Sequence, residues 1–235
     1  MSNLTKQEKA AIEAVAGRFS TTWEESGHSS GAYITIAGKR VALEIVSMKR
    51  RGRDDGGRAK PRLRFDKVVV RVVEHLRSTL REAVPDGVIV LVTITAPIRL
   101  ASKTAAALED KARALLARRT ERIEKKDTIH GNQIRIRLEK AASLPASKVI
   151  GFVHNPDTDP RILMNMTRAL LELFWGKVDT DVRKKFAGDR WLVVMNEGAS
   201  SQMDAYRYIY SQLRIPTDFK KILMVFGDRH VEALN

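Results

Sequence analysis

The stretch AYITIAGKRVALEIV, Ala32 to Val46, decides the fold class. Tyr33, Thr35, Val41 and Ile45 are residue types that suit a pleated surface, where branched and ring side chains pack against cross-strand neighbours. Gly38-Lys39 interrupts the run as a tight turn would. The pattern predicts two strands, Ala32 to Ala37 and Val41 to Ser47, joined as a hairpin. Upstream, Ala11, Ile12, Val15 and Ala16 recur at helical spacing, so Thr5 to Gly17 is expected as a helix that Gly17 ends. Phe19 to Trp23 suits a short strand, and EESGHSSG, Glu24 to Gly31, a loop.

Downstream, Lys49 to Arg62 (KRRGRDDGGRAKPR) has Ala59 as its one apolar residue, so it has nothing to bury and is expected as a loop. Phe65, Val69, Val72, Leu76, Leu80 and Val84 then mark one helical stripe, predicting a helix from Arg64 to Val84. Pro85-Asp86-Gly87 ends it, and Val88 to Thr95 reads as a strand. A second long helix is expected after Ser102 as its cap, with Leu108, Ala112, Leu115 and Ile123 on its stripe and basic residues from Lys111 to Lys126. Ile134 to Leu138 alternates Ile, Arg, Ile, Arg, Leu, which predicts a half-exposed strand with an arginine face. Then come a strand at Lys148 to His154, a helix from Asp159-Pro160 to Trp175, and a short helix at Asp179 to Phe186. A strand at Trp191 to Met195, a helix at Ser201 to Leu213 and a strand at Lys221 to Phe226 finish the chain. Strands alternating with helices predict an α/β fold, one mixed central sheet flanked by helices.

The 235 residues are 43% hydrophobic and 30% charged, which is the balance of a chain that folds. There is no cysteine, so disulfides, cysteine zinc sites and thiol nucleophiles are excluded. The longest apolar stretch, Gly87 to Ala96, is far too short to span a bilayer. With no signal-peptide pattern at Met1 to Gly17, a cytoplasmic location and no membrane partner are expected.

The formal net charge is +14, which makes polyanions, nucleic acid first among them, the expected partner. The charge is concentrated. Lys49, Arg50, Arg51, Arg53, Arg62 and Arg64 fall in one segment, and Arg118, Arg119 and Arg122 in another. Two such patches point to a phosphate-binding surface giving strongly salt-dependent, weakly specific binding.

The first hundred residues follow the order helix, strand, strand, strand, helix, strand, with the Ala32 to Val46 hairpin at the centre. This order resembles the αβββαβ core of the PD-(D/E)XK phosphodiesterase superfamily, which includes restriction endonucleases. The resemblance implies a nuclease-like core over residues 1–96 of a single domain spanning 1–235, with a helical arm and a C-terminal βαβα extension over 97–235. It implies metal ions held between carboxylates: Glu44 matches the Glu of the family's Glu-x-Lys, and Glu13 or Glu8 could match a helix carboxylate. Val46 stands where the family has Lys, and no carboxylate stands at Gly31 or Ala32, where the family has an acid. A two-metal site needs several hard oxygen ligands, so the expectation is a degenerate scaffold that binds nucleic acid without cleaving it. The alternative is a Mg²⁺-dependent nuclease that uses Glu13 and Glu44 as ligands and Lys49 as a migrated lysine. A protein–protein interaction module is a further alternative.

Other segments are candidates for sites. His154-Asn155-Pro156-Asp157-Thr158-Asp159 places an imidazole and two carboxylates at a strand end. Its spacing fits neither an EF-hand nor a zinc motif, and Asp159 has a structural use as a helix cap before Pro160. Glu197 to Ser201 precedes a helix, where Ser201 and Asp204 suit an acidic capping box better than a phosphate loop. Aromatic residues make up only 6%, which speaks against binding single strands by base stacking.

Overall fold

A computed structural model describes residues 4–26, 31–48, 63–118, 124–140, 147–175 and 188–235. The expected helix at Asp179 to Phe186 lies outside them. The α/β class holds, with helices and strands alternating through two sheets. One mixed sheet was the expectation; the strands instead divide between a six-stranded and a four-stranded sheet. The chain packs as two compact units. One unit comprises residues 1–52, 169–210 and 217–235, and a second comprises 53–168 and 211–216.

In the first unit, helix α1 (Lys6–Arg18) opens on a reciprocal cap. Thr5 Oγ1 accepts from the Glu8 amide at 3.2 Å, and Glu8 Oε2 accepts from the Thr5 amide at 2.7 Å. Strands β1 (Trp23–Glu25), β2 (Gly31–Ile36) and β3 (Lys39–Ser47) form an antiparallel meander. The β2–β3 turn is Ala37-Gly38, one residue earlier than expected, with φ of 48° and 75°. Two left-handed residues match the right-handed twist of the strands they join. Strand β8 (Asp189–Asn196) runs parallel to β3, β9 (Lys221–Phe226) parallel to β8, and β10 (Val231–Ala233) antiparallel to β9. Val41, Leu43 and Ile45 of β3 bury into one cluster with Ile12 and Val15 of α1.

The second unit is built on the sheet β5-β6-β4-β7. Its strands are β4 (Val88–Thr95), β5 (Glu124–Ile129), β6 (Asn132–Lys140) and β7 (Val149–His154). Val90, Val92 and Ile94 of β4, with Ile134, Ile136 and Leu138 of β6, face helices α2 (Lys67–Leu80) and α3 (Ala101–Ala117). Asp66 caps α2, its Oδ1 accepting from the Val69 amide at 3.0 Å. Gln212, near the C-terminal end of helix α5 (Met203–Leu213), closes the outer edge of β7. It accepts from the Gly151 amide at 3.3 Å and donates to the Gly151 carbonyl at 3.2 Å. Helix α4 (Pro160–Trp175) follows β7 in the chain.

Two sequence expectations fail here for physical reasons. The basic helix expected to reach Lys126 ends at its C-cap Arg118, and Glu124–Ile129 is a strand. EKKDTI carries charges that suit a helix surface equally well, and as an edge strand it needs little apolar content. Ser102 is not the α3 cap: Leu100 holds that position in the left-handed region with no side-chain bond.

The split between sheets also reorders the expected core. Strand β4 does not neighbour β3, because β8 occupies that edge with Leu43 opposite Trp191. Read in chain order, the first unit begins α1-β1-β2-β3, then the end of α4, then β8, and continues through most of α5 to β9 and β10.

Candidate functional site

The face of the four-stranded sheet opposite α2 and α3 is polar at one end. Period-2 alternation puts Lys126, Arg135 and Thr93 in one row across β5, β6 and β4. Thr128 and Gln133 pair in the next row, and Thr95 pairs with His154 beside them. These side chains line an open cleft of about 420 Å³, completed by the loop from Pro156 to Pro160.

Arg135 is the buried cation of this cleft, 9% exposed, where the sequence suggested a half-exposed arginine face. One of its terminal nitrogens pairs with Glu124 of β5, while Arg137 pairs with Glu139 on the same strand. Burial with pairing is what the low-dielectric face requires of a charge. The Arg135 Nε–H is buried with no hydrogen-bond partner among the described residues. Lys126 stands beside it, exposed, in register across the β5–β6 ladder.

His154 is 2% exposed. Its Nδ1 lies 2.9 Å from the Asn155 carbonyl, which can only accept, so Nδ1 carries the proton. Nε2 then faces the Thr95 hydroxyl at 3.4 Å as an acceptor. Burial pushes the imidazole below its ordinary pKa of 6.5, and Arg135 pushes the same way; the Asn155 bond, Asp159 and Asp157 oppose them. The unfolded chain therefore takes up this proton at higher pH than the folded one. The stabilisation is complete above about pH 6.5 and is lost as pH falls through the folded-state value. His154→Gln, which cannot titrate, is expected to flatten the fall in urea midpoint between about pH 7 and pH 5. An unchanged acid limb would show that another group controls it.

The metal reading of the same loop gains nothing. Asp159 Oδ1 accepts from the Arg161 amide at 2.9 Å at the start of α4. Among the described residues no group of three His, Asp or Glu side chains is placed to hold a metal ion.

Glu44 and Glu13 do not converge. Glu44 alternates with Val41, Leu43 and Ile45, which face α1, so it points from the opposite face of its sheet. Glu13 is exposed on α1. Glu44 is bound instead by Arg190 of β8, whose Nε lies 3.0 Å from Oε1. Lys49, the third member of the nuclease reading, lies outside the described residues, as do Arg50, Arg51, Arg53, Arg62, Arg119 and Arg122.

The described ends of both basic segments belong to the unit that carries the cleft. Leu63 bridges His154, and the Arg64 amide donates to the Val153 carbonyl at 2.8 Å, on the β7 edge. The Arg64 side chain is exposed and pairs with Asp66 at 3.2 Å. Arg118 ends α3, ahead of the β5 edge.

The segment at Glu197 to Ser201 is neither a phosphate loop nor the expected capping box. Ser200–Gln202 form a single 3-10 turn without a side-chain cap, and Ser200 Oγ donates to Asp228 at 3.1 Å. Sequence reading missed Arg135 as a buried site cation, although the Ile-Arg-Ile-Arg alternation carried the signal. It also noted the His154 loop without linking it to that strand. No protein-family model, curated protein or solved structure matches this chain.

Proposed function

We propose that this protein binds the phosphate backbone of nucleic acid, with the cleft on the four-stranded sheet as the docking place. The observation that carries the reading is the buried Nε–H of Arg135, without a partner among the described residues, beside exposed Lys126. Thr93, Thr128 and Gln133 add hydroxyl and amide donors around them. A phosphate oxygen satisfies such a donor set with charge-assisted bonds. The net charge of +14 supplies the long-range attraction that brings a polyanion to it.

The first unit is read as a nuclease-like scaffold without catalysis. Its order of elements supports this, and so does the commitment of Glu44 to Arg190.

The test is fluorescence anisotropy with labelled single- and double-stranded 20-mers at rising KCl. Affinity is expected to fall linearly on a log–log plot, and Lys126→Ala to reduce the slope by about one. No retention at low salt, or a slope indifferent to Lys126, overturns the reading. The first of these outcomes favours a protein partner instead. Cleavage of the oligonucleotide with Mg²⁺, abolished by Glu44→Gln, would restore the nuclease.

A further inference from the structure

A second cleft lies wholly within the first unit. Strands β3, β8 and β9 run parallel, and their carboxyl ends at Ser47, Asn196 and Phe226 open on a space of about 260 Å³. Gln7, Ala10 and Ala11 of α1 form one wall. The carboxyl ends of parallel strands are the usual ligand position in open α/β sheets.

Asn196 gives this cleft its chemistry. It is 2% exposed, and its Oδ1 accepts from the Gly198 amide at 2.8 Å. That bond fixes which end of the amide is oxygen, because a backbone N–H can only donate. The Nδ2 group is therefore a true donor, and it is buried with no hydrogen-bond partner among the described residues. Gly198 is part of the arrangement: a Cβ there would lie 2.9 Å from Asn196 Oδ1, so a larger residue would push the loop off the amide. A buried donor left unpaired is costly, and a ligand that brings an acceptor removes the cost.

The walls define the rest of the ligand. Met48, Met195, Val225 and Phe226 make much of the lining apolar. Thioethers favour contact with the rings of aromatic ligands, and the two alanines of α1 leave a slot opposite them. Glu197 and Arg229 contribute one charge of each sign, so the lining selects no net charge.

We infer that this cleft binds a small, uncharged heteroaromatic molecule whose carbonyl or ring nitrogen accepts from Asn196 Nδ2–H. Nucleobases and nicotinamide belong to this class. The inference stands on the first unit alone and does not depend on phosphate binding at the other cleft.

The full chain, labelled with ¹⁵N, is titrated separately with adenosine, cytidine, uridine and nicotinamide, following the Asn196 side-chain amide signals. At least one probe is expected to shift them saturably, with a Kd of about 1 mM or tighter. Asn196→Asp keeps the bond from Gly198 but loses both donors, and is expected to weaken binding at least tenfold, read from the backbone amides of the cleft. Ala10→Leu fills the slot from α1 and keeps Asn196 in the sequence, and is expected to abolish binding even if the Asp variant does not fold. No saturable shift with any of the four probes overturns the inference. Binding that survives in either folded variant overturns it as well.

Discussion

Glu44→Ala is expected to lower the free energy of unfolding by about 3 kcal/mol, measured by urea denaturation. The Glu44 and Arg190 side chains are only 14% and 11% exposed. Two guanidinium nitrogens donate to the same carboxylate oxygen, and the guanidinium also sits 4.9 Å from the Phe219 ring centre. The parallel register sets Arg190 opposite Ala42, so Glu44 meets it diagonally on one face of the sheet. Removing the carboxylate strands a cation in a site that water barely reaches, which is why breaking such a pair costs more than the pair contributes. Replacing both partners, Glu44→Leu with Arg190→Met, is expected to cost less than about 1 kcal/mol, because no charge is then left unpaired. A metal-ligand role predicts a different outcome. Millimolar Mg²⁺ would then raise the wild-type midpoint by linkage, and Glu44→Gln would erase the rise.

Asn132→Ala is expected to cost about 3 kcal/mol, for a different reason. Asn132 is 1% exposed and ties the β5–β6 hairpin to the start of α3. Its Oδ1 accepts from the Arg99 amide at 2.7 Å. Its Nδ2 lies 2.9 Å from the carbonyls of Arg99 and Ile129 and from Thr104 Oγ1. Alanine leaves the part-buried Arg99 amide without its acceptor, while the Arg99 carbonyl keeps only the bond from Thr104 Oγ1, and the penalty for a buried unpaired group exceeds the net worth of a bond. The turn before it, His130-Gly131, holds two residues at φ of 48° and 77°, the left-handed pair that suits a two-residue hairpin, and Asn132 fixes that hairpin against α3. Asn132→Asp is expected to cost as much, since its carboxylate would face two carbonyl oxygens. A loss below about 1 kcal/mol in either variant would mean that the hairpin and α3 hold their places without this side chain.

The elements that sequence alone made legible are those whose signal is local. KILMVF, Lys221 to Phe226, is an apolar run between turn residues, and the strand has those bounds. Helix α1 declares itself through its stripe of Ala11, Ile12, Val15 and Ala16. What was not legible depends on pairing across the chain. The same alternation of strands and helices is compatible with one sheet or with two, because β3 finds its neighbour β8 far downstream. Glu44 read as a candidate ligand because its partner Arg190 lies 146 residues away. The candidate site was visible in two halves, the arginine alternation of Ile134 to Leu138 and the His154 loop. Only the order β5-β6-β4-β7, which sets β6 and β7 on either side of β4, joins them. Strand β5 escaped because an exposed edge leaves almost no apolar pattern to read.

Phosphate docking at the four-stranded sheet is tested most directly by mapping where an oligonucleotide touches the ¹⁵N-labelled protein in low salt. Shifts concentrated on Lys126, Thr128, Gln133 and the Arg135 Nε–H, and reversed by added KCl, are the expected result. Shifts that leave Arg135 Nε–H unmoved while another surface responds would contradict the account.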